Sequence, residues 1–163
     1  MKTSEYSRCV DEHADGIYRF ALKMLGDTST AQDCVQDVYE RLWRHHEEVG
    51  PAEAKGYLFS SVHHWVIDQA RHGKCVRLYA EEQTHAGQPT TTNGYSDIMA
   101  TIDRLADQLP TAQKTVLLLR DYEGYSYEEI AQITKLSLAQ VKVYIYRARL
   151  FLKSKILSPT SLI

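Results

Sequence analysis

No stretch of the 163-residue chain supplies the roughly 20 consecutive apolar residues that a membrane crossing requires. Its opening, "MKTSEYSRCVDEHADG", also lacks the apolar centre of a secretory signal. These two absences predict a cytoplasmic protein with no membrane insertion. Cysteine is sparse as well. Cys9, Cys34 and Cys75 are odd in number and far apart, which indicates neither a disulfide framework nor a CxxC metal knuckle, and they read as reduced and structural. No Gly-rich phosphate loop, nucleophile–base pair or metal-ligand set is recognisable, so the sequence predicts no enzyme, no metal site and no cofactor. Charge is missing from one whole segment: Gln83 to Ser96, "QTHAGQPTTTNGYS", contains no Lys, Arg, Asp or Glu, and its Gly, Pro, Thr and Asn content resists regular structure. It reads as a flexible linker.

The net charge of −2 conceals a division between the two ends of the chain. Residues 1–110 hold eleven Lys/Arg against seventeen Asp/Glu, whereas residues 111–155 hold eight against four. An acidic module is therefore joined to a basic one. A hydrophobic content of 44% is enough for a packed core in one domain or in two small ones.

Within the basic part, "YSYEEIAQITKLSLAQVKVYIYRAR" (Tyr125 to Arg149) contains two helix starts eleven residues apart. Ser126 with Glu129 has the capping-box form, while Ser137 supplies a second cap without the Glu. Behind Ser137, Val141, Ile145, Ala148 and Leu152 recur at helical spacing, and Ile130, Ala131 and Ile133 give the first helix its apolar side. Only Thr134, Lys135 and Leu136 intervene before the second cap, which forces the tight corner of a helix-turn-helix. An αα corner that merely packs would have the same pattern. The polar face argues otherwise: Gln140, Lys142, Arg147, Arg149 and Lys153 place four cations and no acid on or beside the solvent side. Such a helix suits the DNA major groove, where side chains read base edges and cations neutralise phosphates. Upstream, "DIMATIDRLADQLP" reads as a helix stopped near Pro110, with Ile98, Ile102, Leu105 and Leu109 in register, and "TAQKTVLLLRDYEG" as a helix ended by Gly124.

The N-terminal half reads as three longer helices, roughly Ser4 to Leu25, Ser29 to Glu48 and Ala52 to His72, punctuated by Gly26 and Gly50-Pro51. In the second, Ala31, Val35, Val38 and Leu42 form a core stripe, while Asp33, Asp37, Glu40 and Arg44 form a polar one. That stripe is either a solvated surface or a dock for a basic partner. In the third, Leu58, Val62 and Trp65 share one side. His63, His64, Asp68, Arg71, His72 and Lys74 spread over the rest. His64 and Asp68 lie one turn apart, but no third ligand is spaced to complete a metal site. Cations beside aromatic rings also suit unpaired bases, which stack on them.

Two segments resemble bacterial RNA polymerase sigma factors of the small, extracytoplasmic-function (ECF) type. "AQDCVQDVYERLW" (Ala31 to Trp43) followed by "YLFSSVHHWVIDQAR" (Tyr57 to Arg71) is similar to domain 2 of that family. Leu109 to Leu152, with its Leu-Pro entry, Glu-Ile-Ala and closing Arg-Ala-Arg, is similar to domain 4. The resemblance implies an all-α fold of two small helical domains, 1–80 and 98–163, joined by a linker at 81–97, the second domain containing the helix-turn-helix.

It also implies a function: a sigma factor that binds core RNA polymerase, recognises promoter DNA and directs transcription initiation, with no catalysis of its own. An anti-sigma factor is a further partner the family admits, and a stand-alone helix-turn-helix regulator is the alternative. By the same resemblance Asp33, Gln36, Asp37 and Glu40 dock on the polymerase. His63, His64, Asp68, Arg71 and Lys74 lie beside the −10 strand, His64 standing where the family usually has Asn. Ser137, Ala139, Gln140, Lys142, Val143, Tyr144 and Arg147 face the −35 element. Three departures stand out. Lys135 replaces the Gly common in the turn, Tyr57 replaces a Trp, and Gln140 to Tyr144 replaces the frequent Thr-Val-Lys-Ser-Arg, so promoter sequence does not transfer.

Overall fold

The computed structural model describes residues 1–76 and 94–157, the side chains at 73–76 and 94–96 excepted. Residues 77–93, which include 81–93 of the linker expected at 81–97, lie outside the described residues, and so does the side chain of Lys74. The elements are α1 (Thr3–Leu25), α2 (Thr28–Arg44), α3 (Pro51–Val76), α4 (Gly94–Ala106), α5 (Thr111–Leu117), α6 (Tyr127–Thr134) and α7 (Leu138–Ile156). A π-helical segment, Leu118–Tyr122, continues α5. No strand occurs among the described residues, and no helix there is long and apolar enough to cross a membrane.

Local chemistry sets most of the boundaries. Gly26 adopts φ 74°, ends α1 and returns its N–H to the Leu22 carbonyl at 2.7 Å. Asp27 then caps α2 by accepting from the Thr30 N–H at 2.9 Å, so this helix starts a residue before the predicted Ser29. It also stops earlier, at Arg44 rather than Glu48, because the chain turns at residues 45–48. Helix α4 begins at Gly94, four residues before position 98, the expected start of the second domain. Gly124, at φ 74°, follows the π-helical segment as the expected left-handed terminator.

Helices α1, α2 and α3 pack as a three-helix unit around Phe20, Val38, Leu42, Leu58 and Val62, all fully buried. The core does not stop there. Val116, Leu118, Leu119, Tyr125, Ile130, Val141 and Ile145 from the second half belong to the same continuous cluster, so the two halves share an apolar interior. Phe59 is the pivot: its ring lies 5.5 Å from that of Phe20 and meets Tyr125 edge-on at 5.2 Å. A smaller cluster, Ala106, Leu109, Leu117 and Ala148, anchors α4 and α5 to α7.

Polar ties surround this junction. Arg19 of α1 donates twice to Glu123, through Nε at 3.0 Å and Nη2 at 2.9 Å, and the Glu123 side chain is only 7% exposed. The buried Lys114 ammonium donates to the Lys23 carbonyl at 2.7 Å and pairs with Asp107 at 2.5 Å. It thereby places a cation on the carbonyl end of α1, where the helix dipole is negative. Lys23 in turn reaches Asp103 of α4 at 3.4 Å.

Candidate polymerase and nucleic-acid interface

The helix-turn-helix is built from two capping boxes and one left-handed residue. Ser126 Oγ accepts from the Glu129 N–H at 3.2 Å while Glu129 returns a carboxylate to the Ser126 N–H at 3.3 Å. The second box is complete as well. Ser137 Oγ accepts from the Gln140 N–H at 3.1 Å, and Gln140 Oε1 accepts from the Ser137 N–H at 3.0 Å. The amide of Gln140 thus does the work that Glu does in α6, which corrects the expectation of an incomplete cap. Its Nε2 remains available to an outside acceptor. Between the helices Lys135 holds φ 64°, the conformation that a Gly would adopt without a Cβ penalty.

Val141, Ile145 and Ala148 turn inward from α7, while Ser137, Ala139, Gln140, Lys142, Val143 and Arg147 are exposed. Among the described residues Lys142 and Arg147 have no acidic partner within ion-pair distance. Arg149 does: Asp121 of the π-helical segment accepts from it at 2.6 and 3.3 Å, and the hydrogen bonding raises the guanidinium pKa further. Tyr144 departs from expectation. It is half-buried against the shared core, because its position on α7 lies towards the apolar side.

On the other half, Asp33, Gln36, Asp37 and Glu40 line the exposed side of α2. Two of them are engaged. Glu40 pairs with Arg44 at 2.5 Å, and Asp37 accepts from the Trp65 indole N–H at 3.0 Å, tying α2 to α3. A largely buried indole needs an acceptor, so Trp65 announced that such a bond exists without saying where.

Along α3, His64, Asp68 and Arg71 are exposed. His64 donates from Nδ1 to the Ser60 carbonyl at 2.7 Å, which orients the exposed ring. His63 corrects the sequence reading. It is only 4% exposed and faces α5, where its Nδ1 lies 3.2 Å from Thr115 Oγ1. The Thr115 hydroxyl donates to the Thr111 carbonyl at 2.8 Å, so the imidazole is the donor to Thr115. Burial, then the neighbouring His64, lowers its pKa to about 4 and keeps it neutral. Helical spacing placed His63 beside His64, but the docking of α5 over that side of α3 is a tertiary event.

One surface group escaped the sequence reading. Trp43, at the end of α2, stacks on His46 with ring centroids 4.6 Å apart and meets Tyr6 edge-on at 5.0 Å. The free amino group of Met1 pins the same turn by donating to the His46 carbonyl at 2.6 Å. An exposed Trp–His platform of this kind suits unpaired bases.

A helix-turn-helix whose outer helix carries exposed cations and no acid, the architecture of a DNA-binding protein, shares this chain with a three-helix unit that exposes an acidic stripe. Residues 9–74 match the family described as sigma-70 region 2, and residues 99–152 the family described as sigma-70, region 4. The chain is 32% identical over 137 residues to the ECF RNA polymerase sigma factor SigL of Mycobacterium tuberculosis, covering 80% of this chain and 75% of that one. It is 42% identical over 145 residues to the RNA polymerase sigma-H factor of Pseudomonas aeruginosa, covering 78% and 74%. The ECF RNA polymerase sigma factor SigE of Mycolicibacterium smegmatis is 28% identical over 150 residues, which are 88% of this chain but 58% of that longer protein. In fold, the chain is similar to the sigma factor RpoE of Bartonella quintana, solved in complex with the anti-sigma factor NepR. The TM-score is 0.75 at 19% identity, covering 93% of this chain and 96% of that one.

The chain belongs to the sigma-70 family, among its ECF sigma factors. Sigma factors are non-catalytic regulators of transcription that give RNA polymerase its promoter recognition.

Proposed function

We propose that this chain acts in the cytoplasm as an initiation factor with no catalytic activity of its own, dividing its work between residues 1–80 and 98–163. The first part docks on core RNA polymerase through Asp33, Gln36, Asp37 and Glu40 and lies along the −10 strand with His64, Asp68, Arg71 and Lys74. The second part sets α7 in the major groove of the −35 element, with Gln140, Lys142, Val143 and Arg147 outward. The observation that carries this reading is the pairing of opposite charge patterns on the two units: acids exposed along α2, unpaired cations exposed on α7. Acids fit a basic protein surface, and cations fit phosphates. Each DNA contact is weak alone, and fixing both units on one polymerase multiplies their effect through avidity.

Reconstitution tests the proposal. The full chain mixed with core polymerase is expected to form a stable complex, to initiate transcription from a dedicated promoter, and to protect both elements in a footprint. A chain that binds DNA specifically but fails to associate with core polymerase would instead be a stand-alone helix-turn-helix regulator.

A further inference from the structure

The most outward line of α7 is not cationic. At 100° per residue, Ala139, Val143, Tyr146 and Leu150 lie within about 50° of the direction opposite the buried Val141–Ile145–Ala148 face. All four are exposed: Val143 42%, Tyr146 66% and Leu150 52%. Lys142 and Lys153 flank this crest on one side, Gln140 and Arg147 on the other. A recognition helix thus presents an apolar ridge between polar and cationic shoulders.

Resting on the assignment of α7 to the −35 element, we infer that Val143 and Tyr146 read thymine methyl groups, so that the −35 element of this protein carries thymines at the positions they face. In the major groove the methyl on C5 is the one apolar feature a base pair displays, and apolar side chains are its complement. The N-terminal turns of a recognition helix reach base edges. Ala139 to Tyr146 rises roughly 10 Å, about three base pairs at 3.4 Å each, so the thymines fall within one short run. Lys142 and Arg147 beside the ridge then meet the phosphates that border the groove.

Charge decides against a second copy of the chain as occupant of the ridge. The helix carries Lys142, Arg147, Arg149, Lys153 and Lys155 and no acid, so two such helices repel. Gln140 has its carbonyl committed to the cap and keeps only a donor for a base, which shifts specificity towards Val143 and Tyr146. Val143 therefore marks an altered base preference rather than lost recognition, while half-buried Tyr144 takes no part in it.

The experiment uses holoenzyme made from the full chain, with −35 elements selected from a randomised pool. Thymines in the selected element are then replaced singly by deoxyuracil, which removes the methyl and nothing else. Wild type is expected to lose about fourfold in affinity for each methyl that is read, the value of one buried carbon. Val143→Ala and Tyr146→Ala are expected to bind the thymine element as weakly as wild type binds the uracil one, with no further loss on uracil. Tyr146→Phe keeps the ring and is expected to behave as wild type. Both positions are exposed, and an unchanged melting temperature confirms that the variants fold.

Uracil tolerated at every position, while Arg147→Ala still weakens promoter binding, would overturn the methyl reading and leave α7 on the DNA. A ridge that serves a protein partner also overturns it, and would show as Tyr146→Ala weakening core polymerase binding without DNA. Absence of any −35 protection would instead remove the assignment of α7 itself.

Discussion

His63 donates to Thr115 across 3.2 Å, joining the middle of α3 to α5 in an interior that excludes water from both. The imidazole is neutral there, with its pKa lowered to about 4 from an ordinary 6.5. Between those values the unfolded or separated chain binds a proton that the packed chain does not, so stability rises with pH across this window and is lost as pH falls from about 6.5 towards 4. The loss is of order 3 kcal/mol at most. Denaturant melts at pH 7 and pH 5 are expected to differ for wild type and to converge for His63→Leu. An equal pH dependence in both would exclude His63 as the titrating group.

Asp33→Arg with Glu40→Arg is expected to abolish association with core polymerase while altering stability little, since both sites are exposed and far from the core. Asp37→Arg is expected to differ. It also removes the acceptor of the Trp65 indole and so costs about 1–3 kcal/mol of stability. Polymerase pull-down together with thermal melts separates the two effects, and a double variant that still forms holoenzyme at wild-type affinity would place the docking surface elsewhere.

Gln140→Ala removes half of a capping box and is expected to cost about 1 kcal/mol, most of which Gln140→Glu restores. Gln140→Glu nevertheless gives up the amide donor and places an anion towards the DNA, so promoter affinity falls although the helix is repaired. Comparing melts with binding isotherms shows whether the side chain serves the cap alone.

Arg147→Ala, which removes an exposed and unpaired cation, is expected to weaken every promoter about equally and to flatten the salt dependence of binding by about one ion. A salt titration with the wild-type slope would take Arg147 off the phosphates.

Lys135→Gly relieves the Cβ penalty of a left-handed residue and is expected to stabilise the second unit by up to about 1 kcal/mol, after the greater flexibility of unfolded Gly is set against it. Thermal unfolding measures the shift directly.

What the sequence disclosed is largely what short-range chemistry controls. Ser126 with Glu129, Gly26, Gly124 and the Lys135 turn each act within five residues, and all were legible. The buried stripes of α2 and α7 were legible because a 3.6-residue period needs no knowledge of the partner. Gln140 was partly missed because an amide and a carboxylate both close a capping box. The burial of His63 depends on α5 reaching it from more than 50 residues away, through Thr115, whereas the half-burial of Tyr144 follows from its phase on α7 beside Val141 and Ile145. The ties of Arg19 to Glu123 and of Trp65 to Asp37 span 104 and 28 residues. Nothing in the local pattern of α5 announced its π-helical continuation, through which Asp121 meets Arg149.

The shared interior of the two halves also sets a length. A folded chain of 163 residues has a radius of gyration near 15 Å and measures roughly 40 Å across. The centres of a −10 and a −35 element are about 25 base pairs apart, roughly 85 Å along B-form DNA. Phe59 seated against Tyr125 and Glu123 clasped by Arg19 hold the two units together, closer than the proposed −10 and −35 contacts would set them. If the two units take the −10 and −35 elements as proposed, holding both at once requires parting α3 from α6 and α1 from Glu123, which exposes Phe59 and Tyr125. X-ray scattering reads the change without labels: the free chain stays near the compact radius, and a chain carrying Arg19→Glu and Phe59→Ser expands towards the length that promoters demand.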